Sequence, residues 1–141
     1  MLRQILEDRE DVIVGRWLDR VLAAYPAEGA AAFKRGRDPF GNPVGHTARE
    51  AIGALYGALT ADEPTPEALA ALSDLLRVRA VQQMPASVAV GFILELKAVV
   101  RAELSAWWSS ELDAALRELE DRIDRLALDA FDIYVGFRDE L

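Results

Sequence analysis

The C-terminal thirty residues constrain this chain most. Apolar residues fall at Leu112, Leu116, Leu119, Ile123, Leu126, Ala130, Ile133 and Phe137. The 4-3-4-3 alternation is a heptad seam, and only a helix returns one face to the same side at that spacing. About 30 residues at 1.5 Å each give roughly 45 Å, longer than a domain of this size is wide. Such a helix either protrudes or pairs with a copy of itself. A second apolar set, Leu128, Phe131, Tyr134 and Val135, begins beyond Leu126, so the second half reads as more enclosed than the first. Ser110 with Asp113 three residues on reads as a weak capping box for the helix start. Glu118–Arg122 and Asp121–Arg125 have the spacing of favourable four-apart pairs.

The other long segments are also helical in period, and none alternates with period two. The spacing predicts a first helix over 2–24, with Leu6, Ile13, Trp17, Leu18, Val21 and Leu22 as its apolar set and Pro26 as its stop. A short helix over 27–35 follows, anchored by Phe33. The third covers 44–59, carrying Ile52, Leu55, Tyr56 and Leu59. Thr65 followed by Pro66 is an N-cap with proline at the first helical position, and it opens a fourth helix to about Gln83. Pro85 ends that one and opens a fifth, 85–108, apolar nearly all round in its first half and so the central buried helix. A bundle of about six helices with a long C-terminal one is the expected architecture, and 141 residues make it one domain, 1–141.

The charge balance excludes function classes. Sixteen basic against 24 acidic residues leave a net charge of -8, the wrong sign for gripping nucleic acid or anionic lipid. No cysteine is present, so thiolate metal sites and disulfides are excluded. His46 is the single histidine, which excludes sites needing two imidazoles. Glu-x-x-His pairs, the mark of a carboxylate-bridged di-metal bundle, do not occur, so the acidic residues of the last helix read as a solvated face. Nucleophile-elbow, phosphate-loop and dinucleotide motifs are missing too. No enzyme activity, metal or cofactor is expected. The N-terminus is charged and acidic, unlike a signal peptide, and the longest uncharged run, Ala80 to Leu94, is too short and polar to span a bilayer. A cytoplasmic location follows.

Two polar segments sit at the ends of otherwise apolar helices. Asn42-Pro43-Val44-Gly45-His46-Thr47 opens the third, where free N–H groups and a titratable imidazole suit a small ligand or anion. The plainer reading is a capped helix start with His46 bonded to a carbonyl or carboxylate. Arg77 to Gln83 closes the fourth. Arg79 and Gln82 either satisfy the last carbonyls or line a pocket with His46. Asn42, His46, Arg79 and Gln82 are therefore the candidate ligand residues. Lys34-Arg35-Gly36-Arg37 reads as a solvated loop. Trp17, Trp107 and Trp108 are candidate hot spots for a partner, and the adjacent pair cannot both face one core. Trp17 with Leu112, Leu116, Leu119, Ile123 and Leu126 forms the candidate dimer interface.

Several stretches, "DPFGNPVGHTAREAIGALYGAL", "LLRVRAVQQMPASVAVGFILELKAVVRAEL" and "ELEDRIDRLALDAFDIYVGFRDEL", resemble the N-terminal sensory domain of the RsbR/RsbRD family, the RsbT co-antagonists of the bacterial stressosome. The opening "ILEDREDVIVGRWLDRVLAAYP" fits as well, so the resemblance covers nearly the whole chain. It implies an all-helical, globin-like fold without haem, and a parallel dimer. It also implies that the last helix leads into an output domain that antagonises a switch kinase and carries phosphorylated Ser or Thr. That output domain is expected to be absent, since the chain stops at Leu141, and no Ser or Thr here inherits that role. The leading expectation is a non-enzymatic sensory module that dimerises, relays a signal through its last helix and meets other signalling proteins. The alternative is a small-molecule-binding domain with its pocket near His46, Arg79 and Gln82.

Overall fold

The computed structural model describes residues 1–24, 43–61 and 65–141. Six α-helices account for most of them: α1 Leu2–Asp8, α2 Glu10–Leu22, α3 Pro43–Ala61, α4 Pro66–Val81, α5 Ala86–Leu104 and α6 Ser110–Glu140, with a 3-10 turn at Ser105–Trp107. No strand occurs among the described residues. The architecture is the expected all-α bundle with a long C-terminal helix. The expected helix over 27–35 and the basic run Lys34–Arg37 lie outside the described residues.

The predicted first helix is two helices. At Arg9 the backbone turns to φ −106°, ψ 14°, yet the main-chain bonds continue, Arg9 N to the Ile5 carbonyl at 2.9 Å and Ile13 N to the Arg9 carbonyl at 3.0 Å. The break is thus a bend, and no proline or glycine announces it. Arg9 at the bend lies 2.8 Å from the Glu103 carboxylate near the end of α5 and 5.2 Å from the centre of the Trp107 ring. Arg16 reaches the same carboxylate, also at 2.8 Å. A tertiary contact set the bend where local propensity favoured a straight run.

The α4 start is as predicted: the Thr65 hydroxyl accepts from Ala68 N at 3.0 Å, and Pro66 takes the first helical position. The α6 cap is Ser109, one residue earlier than the capping box placed it. Ser109 is extended, at φ −155° and ψ 166°, and its hydroxyl accepts from Leu112 N at 3.1 Å. Helix α5 ends at Leu104 rather than at 108, because the chain tightens into the 3-10 turn before Trp108 becomes extended.

The interior of α6 packs on α3, α4 and α5. Its fully buried positions are Leu112, Leu116, Leu119, Ile123, Ala127, Ala130 and Tyr134. That spacing, four-three-four-four-three-four, follows the 3.6-residue turn of a straight helix rather than the 3.5 of a coiled coil. The predicted seam matches this line through Ile123. Beyond it the two lines share only Ala130: Ala127 and Tyr134 are buried in place of Leu126 and Ile133, which with Phe137 are half-buried.

Candidate functional site

Arg79 is the one charged residue buried in the core among the described residues. Position 79 sits seven, four and three residues after Leu72, Leu75 and Leu76, so it shares their buried stripe. Its guanidinium donates from Nη1 to the carbonyls of Val88 and Ala89, both at 3.2 Å, and from Nη2 to the Val21 carbonyl at 3.2 Å. Its Cζ stands 5.2 Å from the centre of the Phe92 ring. One side chain thereby joins the end of α2, the end of α4 and the start of α5. Val21 lies in the last turn of α2, where carbonyls carry the negative end of the helix dipole, and a cation is favoured there. Arg79 does bond end carbonyls, but those of α2 rather than of its own helix.

The turn from α4 to α5 is tied down from the other side. Gln83 adopts φ 57°, the left-handed region that glycine or asparagine usually fills after a helix. Its N–H meets the Ala80 carbonyl at 2.9 Å, and Met84 N meets the Arg79 carbonyl at 3.1 Å. Tyr134 of α6 places its hydroxyl on the carbonyls of Arg79, at 3.3 Å, and of Met84. Arg138, one turn on, donates to the Met84 carbonyl at 3.2 Å. The C-terminal end of α6 is therefore bonded to the turn that follows Arg79.

Among the described residues, His46 and Gln82 do not line the cavity that reaches Arg79. Asn42 lies outside the described residues. His46 is part-exposed at the start of α3, with Nε2 3.8 Å from the Glu50 carboxylate four residues on. Gln82 caps α4 and is exposed. That cavity, of about 310 Å³, reaches Arg79 between α2 and α5, near Val21, Ser87, Phe92 and Glu95.

The candidate dimer residues are placed differently as well. Trp17, Leu112, Leu116, Leu119 and Ile123 are fully buried within the chain, and Leu126 packs against the same core. Trp17 donates from Nε1 to the Phe92 carbonyl at 2.6 Å. These side chains gain roughly 1.5–3 kcal/mol each from that burial, so the folded chain has no seam of theirs to offer a partner. Part of the second set on α6 is exposed instead, while Tyr134 of that set is buried. Leu128 is 69% exposed, Phe131 46% and Val135 37%, where a more enclosed half was expected. The 128-131-135 spacing lies off the buried phase of α6, and no further described helix covers that side.

Helix α5 lines up with this stripe. Arg101 meets Glu120 through two bonds, of 2.8 and 2.7 Å, and Lys97 meets Asp124 at 2.7 Å. The bond to Glu120 holds the Arg101 guanidinium above its ordinary pKa. These pairs fix an antiparallel register between the two helices. One turn beyond Lys97 on α5 is Leu94, 44% exposed, and one turn beyond Asp124 on α6 is Leu128. The α5–α6 face is thus charged in one half and apolar in the other. The tryptophan pair closes the charged end: both rings are exposed, Trp107 under Arg9 and Trp108 with the Arg101 guanidinium 5.5 Å from its centre. No group of three or more metal-ligating side chains occurs among the described residues. Among them, too, no helix is long and apolar enough to cross a membrane.

The family description "RsbT co-antagonist protein rsbRD N-terminal domain" matches residues 11–141. The chain belongs to that family. RsbRD N-terminal domains are co-antagonist domains of stressosome signalling and not a known enzyme family. No curated protein and no solved structure matches the chain.

Proposed function

We propose that this RsbRD N-terminal domain is a non-enzymatic, cytoplasmic sensory module that works as a homodimer and passes its signal through α6. The observation that carries the reading is the exposed apolar stripe Leu128, Phe131 and Val135, which begins one helical turn past the Lys97–Asp124 ion pair on the same side as Leu94. Exposed leucine and phenylalanine in one row mark an interaction surface. A second copy that pairs α5 and α6 across this face removes the row from water, and the buried seam of α6 stays where it is. The dimer surface thus moves from the heptad positions to the stripe beside them. Tyr134 and Arg138 bond the same stretch of α6 to the turn after Arg79, so a change in packing at either place biases the other. Partners downstream are signalling proteins of the stressosome type or a switch kinase, met beyond the C-terminal end of α6.

The absence of cysteine makes a direct test simple. In a parallel dimer Phe131 lies near its own copy, so a Phe131→Cys variant oxidises to a disulfide dimer, which requires Cα atoms within about 7 Å. A Glu111→Cys variant, far along the helix, stays monomeric on a denaturing gel. Failure of Phe131→Cys, Leu128→Cys and Val135→Cys to cross-link overturns the reading.

A further inference from the structure

A second cavity, of about 380 Å³, lies between α3, α4 and α6, on the wall of the bundle away from the stripe just described. Leu55, Ala58, Leu59, Leu69 and Leu126 give it apolar walls. Leu69 stands at its lip, 42% exposed, where an α4 leucine would ordinarily be turned inward. Arg122 is fixed at one side by its bond from Nε to the Leu59 carbonyl, 3.2 Å. Arg125 is on the wall too, and it is exposed and in no ion pair among the described residues, although Asp121 and Asp129 stand four residues to either side. Elsewhere on α5 and α6 the basic side chains Lys97, Arg101 and Arg117 have each taken a carboxylate.

We propose that this cavity binds a single-chain amphipathic carboxylate, its tail against the five apolar residues and its head on Arg125. The volume is at the small end of ligand pockets, about 300–1,000 Å³, and holds roughly a dozen water-sized groups at about 30 Å³ each. That is a tail of about ten carbons, shorter than a membrane lipid carries. Arg122, Arg125 and Asp129 are the charged side chains on the wall, two cationic against one anionic, so the cavity is net positive. Apolar walls with a few polar groups are the usual make-up of a ligand site. The guanidinium fork matches a carboxylate in shape as well as charge. One wall of the cavity is α6 itself, at Arg125 and Leu126, so a ligand here touches the helix that the dimer reading uses. Binding can be scored without that reading, on the chain by itself.

The test is a titration of the isotope-labelled chain with decanoate, followed by amide NMR shifts, with decanol and inorganic phosphate as tail-only and head-only probes. Decanoate is expected to saturate, with shifts grouped on residues 55–59, 68–69 and 122–129; decanol binds more weakly and phosphate not at all. Arg125→Gln, a surface change, weakens decanoate roughly five- to tenfold, the worth of about 1 kcal/mol of charge pairing, and leaves decanol unchanged. Ala58→Trp fills the cavity and abolishes both; if that variant does not fold, the Arg125→Gln comparison decides alone. Shifts that do not saturate, shifts spread over the whole surface, or equal decanoate binding by wild type and Arg125→Gln overturn the proposal.

Discussion

The Tyr134 hydroxyl reaches the main-chain carbonyl of Arg79, 3.3 Å away and 55 positions earlier in the chain. Arg79 in turn holds the carbonyls of Val21, Val88 and Ala89. The last helix is thereby joined, through one turn, to a buried cation that binds two other segments, the end of α2 and the start of α5. The proposed relay along the C-terminal helix would use this connection between the core and that helix.

Arg79 is expected to dominate stability. Its bonds are charge-assisted and shielded from water, and each such bond is worth about 1.5–3 kcal/mol. Arg79→Met keeps much of the volume but removes the donors. Part of the loss is recovered because the three carbonyls stay within helices. Urea denaturation is expected to show a loss of about 2–4 kcal/mol, against less than about 0.5 kcal/mol for the exposed Arg77→Met two residues earlier. Equal effects would mean that Arg79 is not a tie.

Gln83 is expected to report the backbone cost of the turn. A non-glycine residue at φ 57° pays a steric penalty that glycine avoids. Gln83→Gly should therefore stabilise the fold by about 0.5–1 kcal/mol, after the extra freedom of glycine in the unfolded chain is subtracted. The midpoint of thermal unfolding checks it, and a decrease contradicts it.

Tyr56 is expected to make the fold alkali-sensitive. Its hydroxyl donates to the Leu6 carbonyl at 2.6 Å, and burial, aided by the charge of Glu10, pushes the phenol well above its ordinary pKa near 10. The folded chain keeps a proton that the unfolded chain loses. The contribution is whole below pH 10 and falls as pH rises past 10 toward the folded value. Tyr56→Phe should cost about 1 kcal/mol at neutral pH and flatten the decline above pH 10. Denaturation midpoints between pH 8 and 11 provide the measurement, and an unchanged slope contradicts the assignment.

Much of the fold was legible because its punctuation is local. Thr65-Pro66 starts α4 and Pro85 opens α5 through residue types whose backbone preferences do not depend on tertiary context. The apolar stripes of α2 and α4 were equally plain. The bend at Arg9 was not, because its cause, Glu103, lies far away in sequence. The burial of Arg79 had a signal, its phase with Leu72, Leu75 and Leu76, that the polar neighbours Arg77, Gln82 and Gln83 obscured. The α6 seam misled for a physical reason: over two turns a 3.5 and a 3.6 period select the same residues, and they part only beyond Ile123. Periodicity alone does not say whether a buried face meets its own domain or a copy. The exposed Leu128, Phe131 and Val135 were visible as a second apolar set, but their openness depends on which side of α6 the bundle occupies.

The proposed function rests on dimerisation through the apolar half of the α5–α6 face. Native mass spectrometry of the purified chain at tens of micromolar, beside a Phe131→Glu variant, tests it most directly. A buried charge without a partner is strongly unfavourable at an interface, whereas the same glutamate on an exposed helix face changes stability by less than about 0.5 kcal/mol. The expected result is twice 15.5 kDa for the wild type and 15.5 kDa for the variant, with equal helicity by circular dichroism. A wild-type chain that is monomeric, or a Phe131→Glu variant that remains dimeric, would contradict it.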